Sequence, residues 1–435
     1  MSTDLATIYS ASVLHFLSKP EGAGDDSYEY YENGAIAVID GKISKVGDAS
    51  KVINCFPKNT KIVTYPNHLI TPGFIDTHTH YPQVEVIASH GEQLLDWLNN
   101  YTFPAEKRFE DRSHANKMAS MFLDELLRNG TTTASVFASV HKQSVEAFFQ
   151  ASTSLNTRMI CGKVMMNRNA PPDLCDTSQS SYDDSKALIQ KWHNIGRQRY
   201  AITPRFAISS TAEQLEAAGQ LYKQFPDTYM QTHLSENIAE LDLVKSLFPN
   251  NKDYLDVYDQ YGLLGSNSTF AHGIHLSDRE LDRLHETGSK IAFCPTSNLF
   301  LGSGLLDTAR LDNKHVRYSL ASDIGAGTSF SMLKTMSEAY KVSQLMNTPL
   351  SPLFCFYLAT LGNATSLGLE NKIGSFKIGN EADFIVLDLH SSELMKLKQN
   401  QSDSLSEKLF SLIILGDDRN VSATYIQGEL KHELS

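Results

Sequence analysis

The sequence predicts an α/β protein: a (β/α)8 TIM-type barrel with a small β-sandwich domain built from both chain ends. Three observations support this prediction. The middle of the chain alternates short apolar strand patterns with amphipathic helix patterns, and both ends carry strand patterns that the middle lacks. The length of 435 residues suits one barrel of about 250 residues with a smaller domain beside it.

The two chain ends, residues 1–69 and 371–435, are expected to form the discontinuous β domain. Residues 35–47 contain an apolar run, an Asp-Gly turn and an alternating run, which is typical of a β-hairpin. Residues 374–389 and 423–430 carry further strand patterns. The ends therefore resemble each other more than either resembles the middle.

Residues 70–370 are expected to form the catalytic barrel. Several of its strand patterns are short, apolar and β-branched, as strands buried on both faces are. Eight of them follow one another at 73–80, 131–139, 158–166, 202–208, 229–235, 268–274, 290–295 and 318–323. Amphipathic helix patterns lie between most of them, for example at 114–129, 184–195, 212–225, 238–248 and 278–286. Eight such units in a row favour a closed parallel barrel.

Composition and charge disfavour several classes of protein. Lys and Arg total 38 against 50 Asp and Glu, and a net charge of −12 disfavours binding that depends on neutralising phosphates. No apolar run approaches the roughly 20 residues that cross a bilayer, and the N-terminus lacks a signal-peptide pattern. The five cysteines are scattered and form no CxxC pair. We expect a cytoplasmic protein with reduced thiols and with neither nucleic-acid nor membrane partners.

The strongest motif is PGFIDTHTHYPQ, at residues 72–83. His78 and His80 are two residues apart, so on a strand both side chains point to the same face. Active sites of barrels lie at the C-terminal strand ends, where two such imidazoles can converge on a metal ion. Taken alone, the motif leaves open a pair of surface histidines at a strand end.

Three further predicted strands end in histidine or acidic residues. The fifth ends in QTHLSEN, with His233 and Glu236, and the sixth ends in AHGIHL, with His272. The eighth ends in ASDIGAG, with Asp323. Because a barrel closes its eighth strand against its first, these groups are expected to converge with the HxH pair. His275, beyond the sixth strand, is expected to pack or to cap its loop.

These motifs resemble the amidohydrolase superfamily. PGFIDTHTH, THLSEN, AHG and ASDIGAG carry the resemblance, together with the C-terminal GSFKIGNEADFIVLD. Within the superfamily, LLDWLNNYTFPAEKRFED, GKVMMNRNAP, ITPRF and FCPTSNLFLGSG look like the guanine deaminases. The resemblance runs almost end to end, and only the N-terminal segment contributes little.

The resemblance implies one zinc ion per subunit with a bound water. It implies four ligands: His78, His80, His233 and Asp323. It further implies that hydroxide from the water attacks the amino-bearing ring carbon of guanine, which yields xanthine and ammonia in purine catabolism or salvage. Glu236 is then the proton shuttle, His272 orients the attacking water, and Asp323 also accepts its proton. A homodimer is expected on the same ground.

The resemblance also implies which residues contact guanine. Gln83 and Arg205 look like the polar groups at its edge, Trp97 and Phe206 like stacking neighbours, and His272 contacts it as well. The sequence leaves two alternatives open at this point. Arg205 could form a salt bridge at a strand end, and Trp97 could pack in the core.

Other interpretations also remain open. Glu236 could be a helix N-terminal carboxylate favoured by the helix dipole, and Lys163 is expected to have a structural or hydrogen-bonding role. The same fold could deaminate another aminated heterocycle, such as a pterin or a triazine, although Gln83 and Arg205 favour guanine. A non-catalytic amidohydrolase-like scaffold is the alternative from another class, although such proteins usually lack metal ligands.

Overall fold

The computed structural model describes residues 6–21, 26–90 and 93–434. The strands in these ranges are β1 (Thr7–Phe16), β2 (Tyr28–Ile39), β3 (Lys42–Asp48), β4 (Lys61–Pro72), β5 (Phe74–His80), β6 (Thr131–Phe137), β7 (Arg158–Gly162), β8 (Val164–Met165), β9 (Arg199–Pro204), β10 (Tyr229–Leu234), β11 (Ser268–His272), β12 (Lys290–Phe293), β13 (Arg317–Leu320), β14 (Phe384–Asp388), β15 (Val421–Ile426) and β16 (Glu429–Glu433).

The α-helices of the same ranges are α1 (Ala49–Ile53), α2 (Leu94–Trp97), α3 (Phe103–Lys107), α4 (Arg112–Arg128), α5 (Lys142–Leu155), α6 (Ser178–Trp192), α7 (Ala212–Gln224), α8 (Ile238–Leu247), α9 (Tyr254–Gln260), α10 (Asp278–Thr287), α11 (Pro295–Phe300), α12 (Thr308–Asn313), α13 (Met332–Leu345), α14 (Pro352–Tyr357), α15 (Asn363–Ser366), α16 (Glu393–Asn400) and α17 (Leu405–Leu415). Short 3-10 and π turns lie at Tyr81–Val86, Leu98–Thr102, Arg108–Glu110, Pro172–Leu174, Ala207–Ser209, Leu358–Gly362 and Asp418–Asn420.

The middle of the chain forms a nearly closed parallel barrel, which confirms the predicted fold class. Its strands follow the order β13-β12-β11-β10-β9-β7-β6-β5, and β8 pairs with β9. Side-chain hydrogen bonds join β13 to β5: Thr77 Oγ1 donates to the Leu320 carbonyl at 3.1 Å, and Asn363 Nδ2 donates to the carbonyls of Ile75 and Leu320 at 2.6 and 2.8 Å. The first and last strands of the barrel are thereby held side by side.

The third predicted strand, 158–166, is two strands in the structure. β7 ends at Gly162, where a Cβ atom would lie only 1.7 Å from the Ala201 carbonyl oxygen of β9. The chain continues as β8 after Lys163, whose buried ammonium forms an ion pair with Asp176. The fourth predicted strand, 202–208, corresponds to β9, which begins earlier, at Arg199, and ends at Pro204.

The chain ends form one seven-stranded sheet in the order β16-β15-β14-β4-β1-β2-β3, where the sequence suggests a sandwich. β14 from the C-terminal end pairs with β4 from the N-terminal end, so both ends build the same sheet. The predicted hairpin joins β2 to β3. Asp40 and Gly41 at its turn have φ values of 49° and 72°, as a type I′ turn requires.

The helices pack their apolar faces on the barrel. In α4, Asp111 caps the first turn by accepting a hydrogen bond from Ser113 N, and Met118, Phe122 and Leu126 are buried at a spacing of four residues. That spacing places them on one face, where each fully buried side chain contributes about 1.5–3 kcal/mol. Within the described ranges, no helix is long and apolar enough to cross a membrane.

Candidate active site

The predicted functional side chains meet at the C-terminal end of the barrel. His78 and His80 lie at the end of β5, His233 lies near the end of β10, and His272 is the last residue of β11. Asp323 follows β13 by three residues. Sequence positions up to 245 residues apart are thus brought to one place by the parallel order of the strands.

Four donor atoms of this group are closely spaced. The Nε2 atom of His80 lies 3.2 Å from Nε2 of His78 and 3.2 Å from Nε2 of His233. Oδ1 of Asp323 lies 3.3 Å from Nε2 of His78 and 3.2 Å from Nε2 of His80. Tetrahedral ligands with bonds of about 2.0–2.1 Å lie about 3.3–3.4 Å apart, so the four donors fit one zinc ion.

His272 lies beside this group. Its Nε2 atom is 3.8 Å from Asp323 Oδ2 and 3.4 Å from Glu236 Oε2. Exchanging His80 for His272 gives a looser set of donors, whose atoms lie within 4.8 Å of one another. The shorter distances therefore favour His80 as the ligand and leave His272 free to contact other groups in the site.

Hydrogen bonds orient the imidazoles. Nδ1 of His233 donates to the Arg205 carbonyl at 2.7 Å, and Nδ1 of His272 donates to Asn298 Oδ1 at 2.8 Å. Both rings therefore direct the Nε2 lone pair into the site. Burial lowers the pKa of His80 to about 3 and holds the pKa of His233 well below its ordinary value. The imidazoles of His80 and His233 are therefore neutral at pH 7, as metal ligands must be.

The backbone is strained at three positions around these groups. Ser235, His272 and Asp323 have φ values of 50°, 70° and 53°. These values lie in the left-handed region, which residues other than glycine rarely adopt. Gly327 makes the turn after Asp323 possible, because a Cβ atom there would lie 1.8 Å from the Ser322 carbonyl oxygen. Strain of this kind persists where the surrounding fold imposes it, and it concentrates at functional sites.

Glu236 is a buried acid beside the four donors. Burial and the charge of Asp323 raise the pKa of Glu236 to about 8, so its carboxyl group holds a proton at neutral pH. Its Oε1 atom accepts a hydrogen bond from Ser303 Oγ at 3.1 Å. The cap of helix α8 is instead Asn237, with Glu240 completing the capping box. Glu236 immediately precedes this cap, so it lies at the helix N-terminus that the sequence left open, and its carboxyl group also faces His272.

A cavity of about 390 Å³ opens onto the site. All five predicted substrate residues line it: Gln83, Trp97, Arg205, Phe206 and His272. Its apolar wall also includes Leu94, Leu98, Leu301 and Ala326, and its polar wall includes His80, His233, Glu236 and Asp323. The indole N–H of Trp97 is buried and has no hydrogen-bond partner among the residues that the structure describes. The cavity thus combines aromatic and aliphatic walls with convergent polar groups, as sites for small ligands do.

Comparison with known proteins agrees with this architecture. Residues 69–431 match the amidohydrolase family, and the chain is 52% identical over 421 residues to the guanine deaminase of Escherichia coli strain K12, covering 97% of this chain and 96% of that one. The chain belongs to the guanine deaminase family of the amidohydrolases. A solved structure of the E. coli enzyme has a TM-score of 0.96 at 48% identity and covers 99% of this chain and 100% of that one.

A second solved amidohydrolase contains a ligand in the corresponding fold. It is the guanine deaminase of C. acetobutylicum with guanine bound in its active site. Its TM-score is 0.88 at 32% identity, and the match covers 98% of this chain and 99% of that one. The similarity therefore extends through the barrel and the terminal sheet alike.

Two contacts of this amidohydrolase site were not predicted from the sequence. Asp76 accepts hydrogen bonds from the backbone N–H groups of His78 and Ser322, at 3.3 and 3.0 Å, and so ties β5 to the residue before Asp323. Burial raises the pKa of Asp76 to about 6. Asn298, which orients His272, was also missed. Asp76 lies two residues before His78 in PGFIDTHTHYPQ, whereas Asn298 has no local signal beyond the stretch FCPTSNLF.

Glu106 is the third missed residue. It is buried on α3, where it forms an ion pair with Arg205 and accepts a hydrogen bond from Gln83. The salt bridge that the sequence left open for Arg205 therefore exists, although Arg205 also lines the cavity. The only sequence signal for Glu106 is its place in YTFPAEK, one of the stretches that carry the family resemblance.

Proposed function

We propose that this amidohydrolase is a zinc-dependent guanine deaminase, which hydrolyses guanine to xanthine and ammonia. One observation carries the proposal: four donors are spaced for a zinc ion, and three of them, His80, His233 and Asp323, line a cavity. Gln83, Arg205 and the acid Glu236 line the same cavity. The identity of 52% to a guanine deaminase over almost the whole chain supports guanine as the substrate.

We assign the metal to four ligands, His78, His80, His233 and Asp323, with one zinc ion per subunit. When bound, zinc lowers the pKa of water from 15.7 to about 7, so that hydroxide is available at neutral pH. Asp323 supports this assignment because its pKa lies well below the ordinary value: burial opposes its charge, but the neighbouring imidazoles of His78 and His80 favour it. It therefore remains a carboxylate throughout the physiological range.

Gln83 and Arg205 are suited to hold the polar edge of the purine. The guanidinium of Arg205 donates charge-assisted hydrogen bonds to a ring carbonyl, and the amide of Gln83 pairs with the neighbouring ring nitrogen. Trp97 and Phe206 offer apolar faces on the same cavity. A ring held in this way has its amino-bearing carbon fixed in the site, which lowers the entropic part of the barrier.

The remaining residues handle protons. Attack of water on the amino-bearing carbon forms a carbon–oxygen bond and requires a proton at the adjacent ring nitrogen, which Glu236 supplies from its carboxyl group. Oδ2 of Asp323 and Nε2 of His272 face each other at 3.8 Å and take up the proton that the water loses. Glu236, now a carboxylate, takes the hydroxyl proton of the tetrahedral carbon and passes it to the amine. The carbon–nitrogen bond breaks as the new carbonyl forms, and ammonia leaves. The proton taken up at Asp323 and His272 then restores the carboxyl group of Glu236.

Other expectations from the sequence stay predictions. The homodimer, the cytoplasmic location and the place in purine catabolism or salvage belong to this group. A pterin or triazine deaminase remains the alternative on the same fold, and the scaffold alternative is disfavoured because every predicted ligand and both proton-handling groups are present in the chain.

The proposed deamination is tested by following the ultraviolet absorbance of guanine after purified protein is added. We expect conversion to xanthine with one ammonia released per guanine, no conversion after chelation of zinc, and no conversion of a pterin or triazine at a comparable rate. Zinc-loaded protein that leaves guanine unchanged, yet releases ammonia from another amino-heterocycle, would contradict the substrate and retain the reaction class.

A further inference from the structure

Glu106 is a buried carboxylate that the proposed chemistry does not use. Gln83 and Arg205 line the cavity, and Glu106 lies behind them with 1% of its surface exposed. Its Oε1 atom accepts a hydrogen bond from Gln83 Nε2 at 3.0 Å. Nη1 of Arg205 lies 2.8 and 2.7 Å from Oε1 and Oε2. One carboxylate thus contacts both residues that face the substrate edge.

The contact with Glu106 decides which end of the Gln83 amide faces the cavity. Rotating the amide by half a turn would place two acceptor oxygens about 3.0 Å apart, where no hydrogen atom could join them. Nε2 is therefore committed to Glu106, and Oε1 is left as an acceptor. Among the described residues, the hydrogen bond of the Gln83 side chain is the one through Nε2, and Oε1 accepts none. Gly325 leaves room for this atom, since a Cβ atom there would lie 2.8 Å from it.

The same carboxylate fixes the guanidinium of Arg205. Its Nη1 group is occupied by the two oxygens of Glu106, and its guanidinium carbon lies 5.5 Å from the ring centre of Phe103. Within the described ranges, the Nε and Nη2 groups of Arg205 have no hydrogen-bond partner. They remain available as donors, and the charge of the side chain is balanced within the protein.

We propose that Glu106 is a positioning residue that sets the polarity of the substrate edge, with an acceptor at Gln83 beside donors at Arg205. This pattern selects a ring amide, in which an N–H group lies beside a carbonyl, as in guanine. It rejects the inverted pattern of 2,6-diaminopurine, which carries the same reactive amine but presents a ring lone pair beside an amino group. The inference rests on the proposed function and names the residue that determines its specificity.

A purely structural role for Glu106 makes a different prediction. If the carboxylate only balances the charge of Arg205, then Glu106→Asp, which keeps the charge, leaves the substrate preference as it is. The proposal predicts a change, because a side chain shorter by one methylene group cannot hold Arg205 and also reach Gln83 across the present 3.0 Å contact. The Asp variant therefore separates the two roles without leaving a buried charge unpaired.

The experiment compares kcat/KM for guanine and 2,6-diaminopurine in zinc-loaded wild type, Glu106→Asp and Glu106→Gln. The wild type is expected to prefer guanine by roughly 10⁴-fold, because inverted partners leave buried polar groups unpaired. We expect the ratio to fall about ten-fold in Glu106→Asp and about a hundred-fold in Glu106→Gln. Glu110→Gln, an exposed acid four residues away, is the matched control and should keep the wild-type ratio.

Equilibrium binding gives a readout independent of turnover. Hypoxanthine has the ring amide without the reactive amine, and adenine has the inverted edge. The dissociation constant of adenine divided by that of hypoxanthine is therefore expected to fall from wild type to Glu106→Asp, and further to Glu106→Gln. Folded, zinc-loaded Glu106→Asp with wild-type ratios in both assays would overturn the proposal. A wild type that does not deaminate guanine but prefers hypoxanthine would refute the proposed function alone.

Discussion

The two ends of the barrel bury charge in opposite ways. At the N-terminal end, Arg158 and Arg197 pair with Glu381 and Asp383, a group that we call the junction cluster because it joins the barrel to the strand β14 of the terminal sheet. At the C-terminal end is the site cluster, which consists of His78, His80, His233, Glu236 and Asp323. One cluster is balanced within the chain, and the other is not.

The pKa values express this difference. Burial opposes the charge of Glu381, but Arg158 and Arg197 hold its pKa below the ordinary value of 4.5. In the site cluster, the pKa of Glu236 is raised to about 8, because burial and Asp323 disfavour a second negative charge. No lysine or arginine contacts Glu236 or Asp323 within the part of the chain that the structure describes.

The two clusters differ in the source of their counter-charges. Buried ion pairs that are complete hold elements together, whereas buried acids with neutral neighbours are suited to bind a cation and to exchange protons. Barrel enzymes keep these roles at opposite ends, with chemistry at the C-terminal strand ends. Substitutions in the site cluster should therefore change activity, and those in the junction cluster should change stability.

The largest effect is expected from His233→Ala. Loss of one ligand from a set of four should reduce bound zinc well below one per chain and lower kcat/KM for guanine by roughly 10⁴-fold or more. The zinc content is measured by elemental analysis of the purified variant. His275→Ala is the control, because His275 bonds to the Ser303 carbonyl and not to the donor group, and it should keep its zinc.

Glu236→Gln should retain zinc and lower kcat by roughly 10²–10⁴-fold, the usual worth of a positioned acid. The amide matches the carboxyl group in size but cannot give up a proton. Asp242→Asn, an exposed change on helix α8, is the control and should keep wild-type turnover. Equal loss of zinc and activity in Glu236→Gln would instead place Glu236 among the ligands.

Glu381→Gln tests the other side of the comparison. Removing one partner from a buried ion pair should lower the free energy of unfolding by about 3 kcal/mol at pH 7 while kcat stays unchanged. The stabilisation depends on ionised Glu381, whose pKa is lowered in the folded state, so it is fully present above pH 4.5 and is lost as the pH falls through the lower folded value. Urea unfolding of both proteins should therefore show a gap that closes in acid. A gap that widens in acid would contradict this account.

The smallest effect is expected from Asn298→Leu. Without the acceptor at Oδ1, the ring of His272 loses the hydrogen bond that fixes its tautomer, and kcat should fall roughly ten- to a hundred-fold with zinc retained. The KM for guanine should change less than kcat, because Asn298 does not line the cavity. A variant with normal kcat would show that His272 does not depend on this contact.

The sequence predicts the metal side of the site better than its supporting contacts. His78 and His80 share a strand, and His233, His272 and Asp323 stand at strand ends, so alternation and barrel closure bring them together. Glu106 and Asn298 cannot be inferred in this way. Each is an ordinary polar residue in its own segment, and its role arises only from contacts with residues 23 to 99 positions away.

In the fold, too, features that depend on contacts between distant residues could not be predicted from local sequence patterns. The barrel follows from eight strand patterns, and the type I′ turn follows from Asp40 and Gly41. The break between β7 and β8 depends on the close approach of Gly162 to β9, which is a tertiary contact. The helices α16 and α17, inserted between β14 and β15 of the terminal sheet, are not among the elements that the sequence predicts.

The most direct test of the account is zinc titration into chelated protein with guanine present. We expect no turnover without metal and a rise in xanthine formation that is linear up to one zinc per chain and then constant. Turnover that survives complete removal of metal, or one bound zinc per chain without any conversion of guanine, would contradict it.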